Sequence, residues 1–292
     1  MHVTATDGTR LYVETAGEGG DPILFIHEFG GNYDAWEPQM QAFARTNRCI
    51  TYAARGYAPS DIPEDVEKYS QAIAVSDALA VLDGLGIERA HIVGLSMGGF
   101  TALHFGLDHP NRALSLVVAG AGYGCEKGRE EYFRDGSLQV AQNFAADPAE
   151  FSKIYALGAS RVQFQNKDPR GWAAFAERLS HHSAVGAPNT MRGVQARRPA
   201  FWQLEDRLRG MEVPTLVMVG DEDDHCLQPG LYLKQVLPAA GLAILPKTGH
   251  TLNLEEPGLF NGMLSAFLAQ VSAGTWRRRD PRADPGQVMR VK

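Results

Sequence analysis

Cysteine is scarce. Cys49, Cys125 and Cys226 are the only three in 292 residues. They are too few and too far apart for a disulfide framework, and no C-x-x-C pair offers metal-ligand spacing. Long apolar runs are also missing. No stretch of about 18 apolar residues occurs, so no membrane-spanning helix is expected. The opening residues, MHVTATDGTRLYVETAG, lack the apolar core of a signal peptide. Positive charge is in the minority, with 28 Lys and Arg against 34 Asp and Glu. The net charge of −6 weighs against nucleic acid as a partner. These absences leave a cytoplasmic protein as the expectation, with a small molecule as its natural partner. A homo-oligomer stays open.

What is present is ordinary for a globular enzyme: 44% hydrophobic and 21% charged residues. The length suits one large domain or a domain carrying an insertion. Residues 10–15, RLYVET, alternate as a strand does. Residues 22–27, 49–54, 90–95, 114–120, 214–220 and 242–246 are nearly continuous apolar runs. Such runs are typical of strands buried on both faces of a parallel sheet. Between them the spacing predicts helices over 70–86, with Ser70 as N-cap, over 98–110, and over 259–271 with Pro257 near its start. This alternation predicts an α/β fold with a mainly parallel sheet flanked by helices. The rhythm stops after Gly120. Residues 121–208 carry amphipathic pieces but no strand-like run, and they are read as an inserted helical cap or lid. The expected organisation is a core of 1–120 and 209–271, a cap of 121–208, and a loose or surface-draped tail of 272–292.

The stretch HIVGLSMGG places Gly94-Leu95-Ser96-Met97-Gly98 directly after a buried strand and before a helix. A serine on so tight a turn is lifted clear of the sheet, and the helix N-terminus favours developing negative charge. Ser96 is therefore the candidate nucleophile. A serine hydroxyl needs a base. Among nine histidines, His250 lies just past the last apolar run, at the same kind of strand end as Ser96, where catalytic groups gather. His91 opens its strand and belongs at the opposite edge. His104 and His109 fall on the following helix. His181 and His182 are adjacent in the cap, either a substrate contact or, as preferred, a surface pair. A histidine base needs an acid to orient it. Asp221, Glu222, Asp223 and Asp224 all follow the 214–220 run, and spacing alone does not choose among them.

The order of Ser96, an acid and His250, the GLSMGG elbow, the His27-Glu28-Phe29-Gly30 loop and the GH…EEP ending resemble the α/β-hydrolase superfamily over residues 5–271. The resemblance implies a Ser-His-Asp triad and no metal or organic cofactor. It implies Asp223 as the acid, three residues after the glycine that ends its strand, with Asp224 and Asp221 behind it. It also implies an oxyanion hole from the backbone N–H groups of Phe29 and Met97, each contributing roughly 3 kcal/mol. RGYAPSD (55–61) resembles a structural turn of the same superfamily, so Arg55 receives no catalytic role. Ala53 departs from the aspartate often found there.

Glu28 is the sharper departure, because the family loop commonly has glycine at its position. A carboxylate facing the oxyanion would oppose the transition state. It either points sideways, paired with an arginine or with backbone N–H groups, or enters the pocket to contact substrate or water. The sideways arrangement is preferred. Trp36, Phe100 and Tyr123 are further candidates for the pocket lining. The activity expected is hydrolysis of a small or medium ester or lactone through an acyl-enzyme. Carbon–carbon hydrolysis of diketone-like substrates, perhydrolase or haloperoxidase-like chemistry, and a slow ligand-binding receptor are the alternatives.

Overall fold

The computed structural model describes residues 1–283. Eight strands form one sheet in the order β1-β2-β4-β3-β5-β6-β7-β8. They are β1 His2–Thr4, β2 Arg10–Ala16, β3 Ile23–Ile26, β4 Cys49–Tyr52, β5 Ala90–Leu95, β6 Ala113–Ala119, β7 Thr215–Gly220 and β8 Ala240–Leu245. β1 and β2 are antiparallel, and every pairing from β4 to β8 is parallel. Twelve helices accompany them: α1 Glu37–Phe43, α2 Gln71–Gly84, α3 Met97–Asp108, α4 Glu130–Ala146, α5 Pro148–Ala156, α6 Val162–Lys167, α7 Pro169–Ser180, α8 Gly186–Thr190, α9 Glu205–Gly210, α10 Asp224–Val236, α11 Leu252–Glu255 and α12 Pro257–Ser272. This is the α/β-hydrolase fold that the sequence led us to expect.

Side chains alternate across a strand, so each buried run feeds two cores. Leu24, Ile26, Ile92, Leu116 and Val118 face a core completed by Val81 of α2, Leu103 of α3 and Leu233 of α10. Ile23, Phe25, Val93 and Val117 face the other, closed by Met40 of α1 and by Phe260 and Leu264 of α12. β8 departs from the expectation of burial on both faces. It is the sheet edge, and Ile244 is 48% exposed.

The residues between β6 and β7 carry α4 to α9 and no strand. Asp147 caps α5 and Asp168 caps α7, each followed by a proline at the first helical position. This arrangement satisfies an orphan amide with a side-chain oxygen and uses a residue that has no amide to satisfy. Phe144, Phe164, Phe175, Leu179 and Met191 from this segment form a third core with Phe29, Tyr57 and Met97. The helical segment is thus packed over the loops that follow β3 and β5. At the far end, Trp276 packs on Phe267 and its Nε1 donates to the Ala239 carbonyl, so the chain past α12 lies on the surface. The remainder of the expected tail, 284–292, lies outside the described residues.

Candidate active site

Ser96 joins β5 to α3 with φ 53° and ψ −113°. A non-glycine residue with positive φ is uncommon and held only by its surroundings. Those surroundings are tight: a Cβ on Gly98 would lie 2.0 Å from the Ile26 carbonyl oxygen, and one on Gly94 would lie 2.0 Å from that of Gly98. The helix can start against the sheet only because both positions are glycine. The Ser96 side chain makes no capping bond. It stands half-buried at the head of the helix.

His250 and Asp223 sit on the loops after β8 and β7. His250 Nδ1 lies 2.6 Å from Asp223 Oδ2, with the imidazole 6% exposed and the carboxylate fully buried. Burial acts against ionisation of Asp223, but His250 outweighs it and holds the carboxyl below its usual range. Asp221 instead accepts from the Thr248 amide. Asp224 begins α10, and Glu222 accepts from Gln163 of α6. Of the four acids, the geometry brings Asp223 to the histidine. An Nδ1 bound to a carboxylate leaves Nε2 as the working face of the ring.

Phe29 and Met97 lie on the same rim. Met97 is the first residue of α3, so its amide has no intrahelical acceptor. Among the described residues the Phe29 amide makes no backbone hydrogen bond, while its carbonyl accepts from Tyr57 Oη at 3.1 Å. Tyr123 packs its ring 5.3 Å from that of His250, and its hydroxyl reaches Ser160 Oγ at 3.4 Å. Trp36 does not belong to the pocket. It is sealed in the core between the sheet and α12, against Phe25 and Phe260, because the short helix after Asn32 turns it under the sheet. Phe100 is core as well, covered on one side by Phe201 and on the other by the Arg198 guanidinium, 3.5 Å from its ring centre. His182 is half-buried rather than fully exposed. Its ring packs on Tyr57 at 5.1 Å and on Phe29 at 6.0 Å, and burial pushes its pKa down to about 3.

Glu28 is 2% exposed and pairs with Arg161 from the helical segment, a partner the sequence did not single out. The guanidinium grips both carboxylate oxygens, with Nη1–Oε1 at 2.9 Å. It also binds Thr251 Oγ1 and lies 4.8 Å over the Phe175 ring. Burial opposes the charge on Glu28, but Arg161 outweighs it, so the carboxyl stays below its ordinary value. The preferred sideways pairing is present, yet the carboxylate has not left the site: Oε2 is 3.9 Å from His250 Nε2. The residues next to Arg161 bind the same loop. The His250 amide donates to the Ser160 carbonyl at 2.9 Å, and Lys167 pairs with Glu255 and Glu256.

Asp223, Cys226 and His250 bring three ligand-type atoms within 4.8 Å of one another. Burial holds the Cys226 thiol well above its ordinary pKa, so it is a neutral thiol and a poor ligand. The direct Asp223–His250 hydrogen bond also occupies the space a cation would need. The cluster reads as the back wall of the histidine.

Comparison with known proteins identifies relatives of this chain. A 3-oxoadipate enol-lactonase of Acinetobacter baylyi is 27% identical over 92% of this chain and 97% of its own length. A 2-hydroxy-6-oxononadienedioate/2-hydroxy-6-oxononatrienedioate hydrolase of Paraburkholderia phymatum is 29% identical over 89% of this chain and 91% of its own. The crystal structure of the enol-lactonase from Burkholderia xenovorans superposes with a TM-score of 0.81 at 22% identity, covering 92% of this chain and all of that one. The family model described as alpha/beta hydrolase fold matches residues 21–257, and the chain belongs to that family.

Proposed function

We propose that the protein is a serine hydrolase that opens an ester or lactone through an acyl-enzyme. Ser96 Oγ attacks the carbonyl carbon while His250 Nε2 takes its proton. Asp223 holds the Nδ1–H tautomer and stabilises the imidazolium. The amides of Phe29 and Met97 receive the oxyanion. The imidazolium then protonates the leaving oxygen, water adds to the acyl carbon, and Ser96 is released. The observation that carries this reading is the 2.6 Å bond between a buried aspartate and a histidine on neighbouring strand-end loops, in a chain whose Ser96 is held at positive φ on the turn after β5. The enol-lactonase relative supports a lactone as one form of the substrate. The helical segment 121–208 serves as a cap over the site, supported by its shared core with Phe29 and Met97. Among the described residues no helix is long and apolar enough to cross a membrane. The three cysteines are free and buried, in keeping with a reducing cytoplasm.

The test is pre-steady-state hydrolysis of p-nitrophenyl esters from acetate to octanoate, with Ser96→Ala alongside. A burst followed by turnover, absent in the variant, is the expected result. Turnover that survives Ser96→Ala would sink the assignment of the nucleophile. A second reading has its own support. The Paraburkholderia phymatum relative is named for a substrate with a ketone and no ester. On a substrate of that kind the same groups would cleave a carbon–carbon bond. Turnover of a vinylogous diketone acid, with none of any ester, would favour it.

A further inference from the structure

The acyl-enzyme step proposed above needs a water held where His250 Nε2 can deprotonate it. The loop glutamate stands at that place. Two acceptors that share one water at ordinary lengths of about 2.8 Å lie roughly 4 to 4.5 Å apart. Glu28 Oε2 and His250 Nε2 are 3.9 Å apart, so a small opening admits one water between them. Glu28 Oε2 keeps acceptor capacity beyond its bond to Arg161, because a carboxylate oxygen has two lone-pair positions. Arg161 also removes the objection to a carboxylate here, since the bidentate pair brings no net charge toward the oxyanion. Thr251 and the Phe175 ring fix the guanidinium in turn.

We propose that Glu28, clamped by Arg161, is the positioning residue for the hydrolytic water, accepting one of its O–H groups while the other faces His250 Nε2. His250 takes the proton from that second O–H as the water oxygen bonds to the acyl carbon. The tetrahedral intermediate expels Ser96 Oγ, which recovers the proton from Nε2, and the carboxylic acid leaves. Glu28 remains ionised throughout and exchanges no proton. This inference rests on the acyl-enzyme reading, and it makes a distinction that reading does not. Water has two O–H groups and uses both. Methanol has one, which goes to Nε2, so methanolysis of the acyl-enzyme does not need Glu28.

The experiment is product partitioning. The p-nitrophenyl ester that the parent protein turns over fastest is supplied in buffer containing methanol, and acid and methyl ester are quantified. The ratio forms after acylation and does not depend on the fraction of folded enzyme. Glu28→Gln, which exchanges the charged acceptor for a weaker neutral one, is expected to raise the methyl ester to acid ratio about tenfold, the difference between a charge-assisted and a neutral hydrogen bond. The double variant Glu28→Gln with Arg161→Gln, which leaves no orphaned buried cation, should do the same. An unchanged ratio with both products formed overturns the inference, as does a parallel loss of both products in the variants. Neither product from the parent protein overturns the acyl-enzyme reading, and this inference with it.

Discussion

Among the described residues two arginine–carboxylate pairs are buried, and they tie together different parts of the fold. Arg55 lies in the turn after β4 and grips Asp77 of α2 at 2.7 and 2.6 Å, with Asp7 at 3.1 Å on its other side. Arg161 grips Glu28 in the same two-pronged way. Both arginine side chains are almost fully buried, at 6% and 4% exposure. The first pair joins a turn to a helix 22 residues away, and the second joins residues 133 apart. Arg55 touches no group of the candidate site. Arg161 reaches the loop after β3, Thr251 next to His250, and the Phe175 ring of α7. The chemistry of a buried pair therefore does not reveal its role. The elements that it ties together do.

In stability the two pairs should look alike. Removing one partner of a buried pair strands a charge and costs about 3 to 5 kcal/mol. Arg55→Met leaves Asp77 stranded and Arg161→Met leaves Glu28 stranded, so urea unfolding should place both variants in that range. A variant with no loss would show that its carboxylate finds water or a proton instead.

Acid should loosen both pairs together, because His27 stands between them. Its Nδ1 lies 2.7 Å from the Glu28 carbonyl and its Nε2 accepts the Ala54 amide at 3.0 Å, next to Arg55. Burial lowers its pKa from 6.5 to about 4. Above pH 6.5 both the folded and the unfolded protein carry it neutral, and the stability is complete. As pH falls toward 4 the unfolded chain binds a proton that the folded one refuses, so stability drops by roughly 3 kcal/mol from this residue. Unfolding free energies measured from pH 7 to pH 4 should fall by at least that amount. A flat profile would mean that His27 charges inside the fold.

Activity should then separate the pairs. A displacement of about 1 Å at a reacting group can cost around a hundredfold in rate. Arg161→Met should lower kcat/KM by about that factor per folded molecule, and Arg55→Met should leave it within about threefold. Equal losses would erase the distinction drawn here. The smallest effect is expected of Thr251→Val, which removes one hydrogen bond to Arg161. It should cost about 1 kcal/mol of stability and leave the Asp223–His250 bond in place.

Much of this was legible in the sequence because the signals were local. Ser70 does cap α2, its Oγ accepting from the Ile73 amide. The six apolar runs are six parallel strands, five of them buried on both faces and β8 lying at the sheet edge. The elbow at Ser96 announces itself through glycines that no other residue can replace. The partner of Glu28 was not legible, because Arg161 lies 133 residues away in a helical stretch that carries no motif. Trp36 and Phe100 were misleading for a related reason. An aromatic residue near a catalytic loop faces the pocket or the core according to a turn of backbone that sequence spacing does not encode. His182 looked exposed because its neighbours are polar, yet its ring packs on Phe29 and Tyr57 and is half-buried.

The bond from the His250 amide to the Ser160 carbonyl has a consequence for engineering. A Cβ on Gly249 would lie 2.2 Å from that same oxygen, so the two segments touch backbone to backbone. Specificity in a capped scaffold is often imagined as modular, with one cap exchanged for another at the strand ends. In this chain a transplant cut at residues 121 and 208 would carry off the acceptor of the His250 amide and the clamp on Glu28. A chimera that keeps 158–167 preserves both contacts.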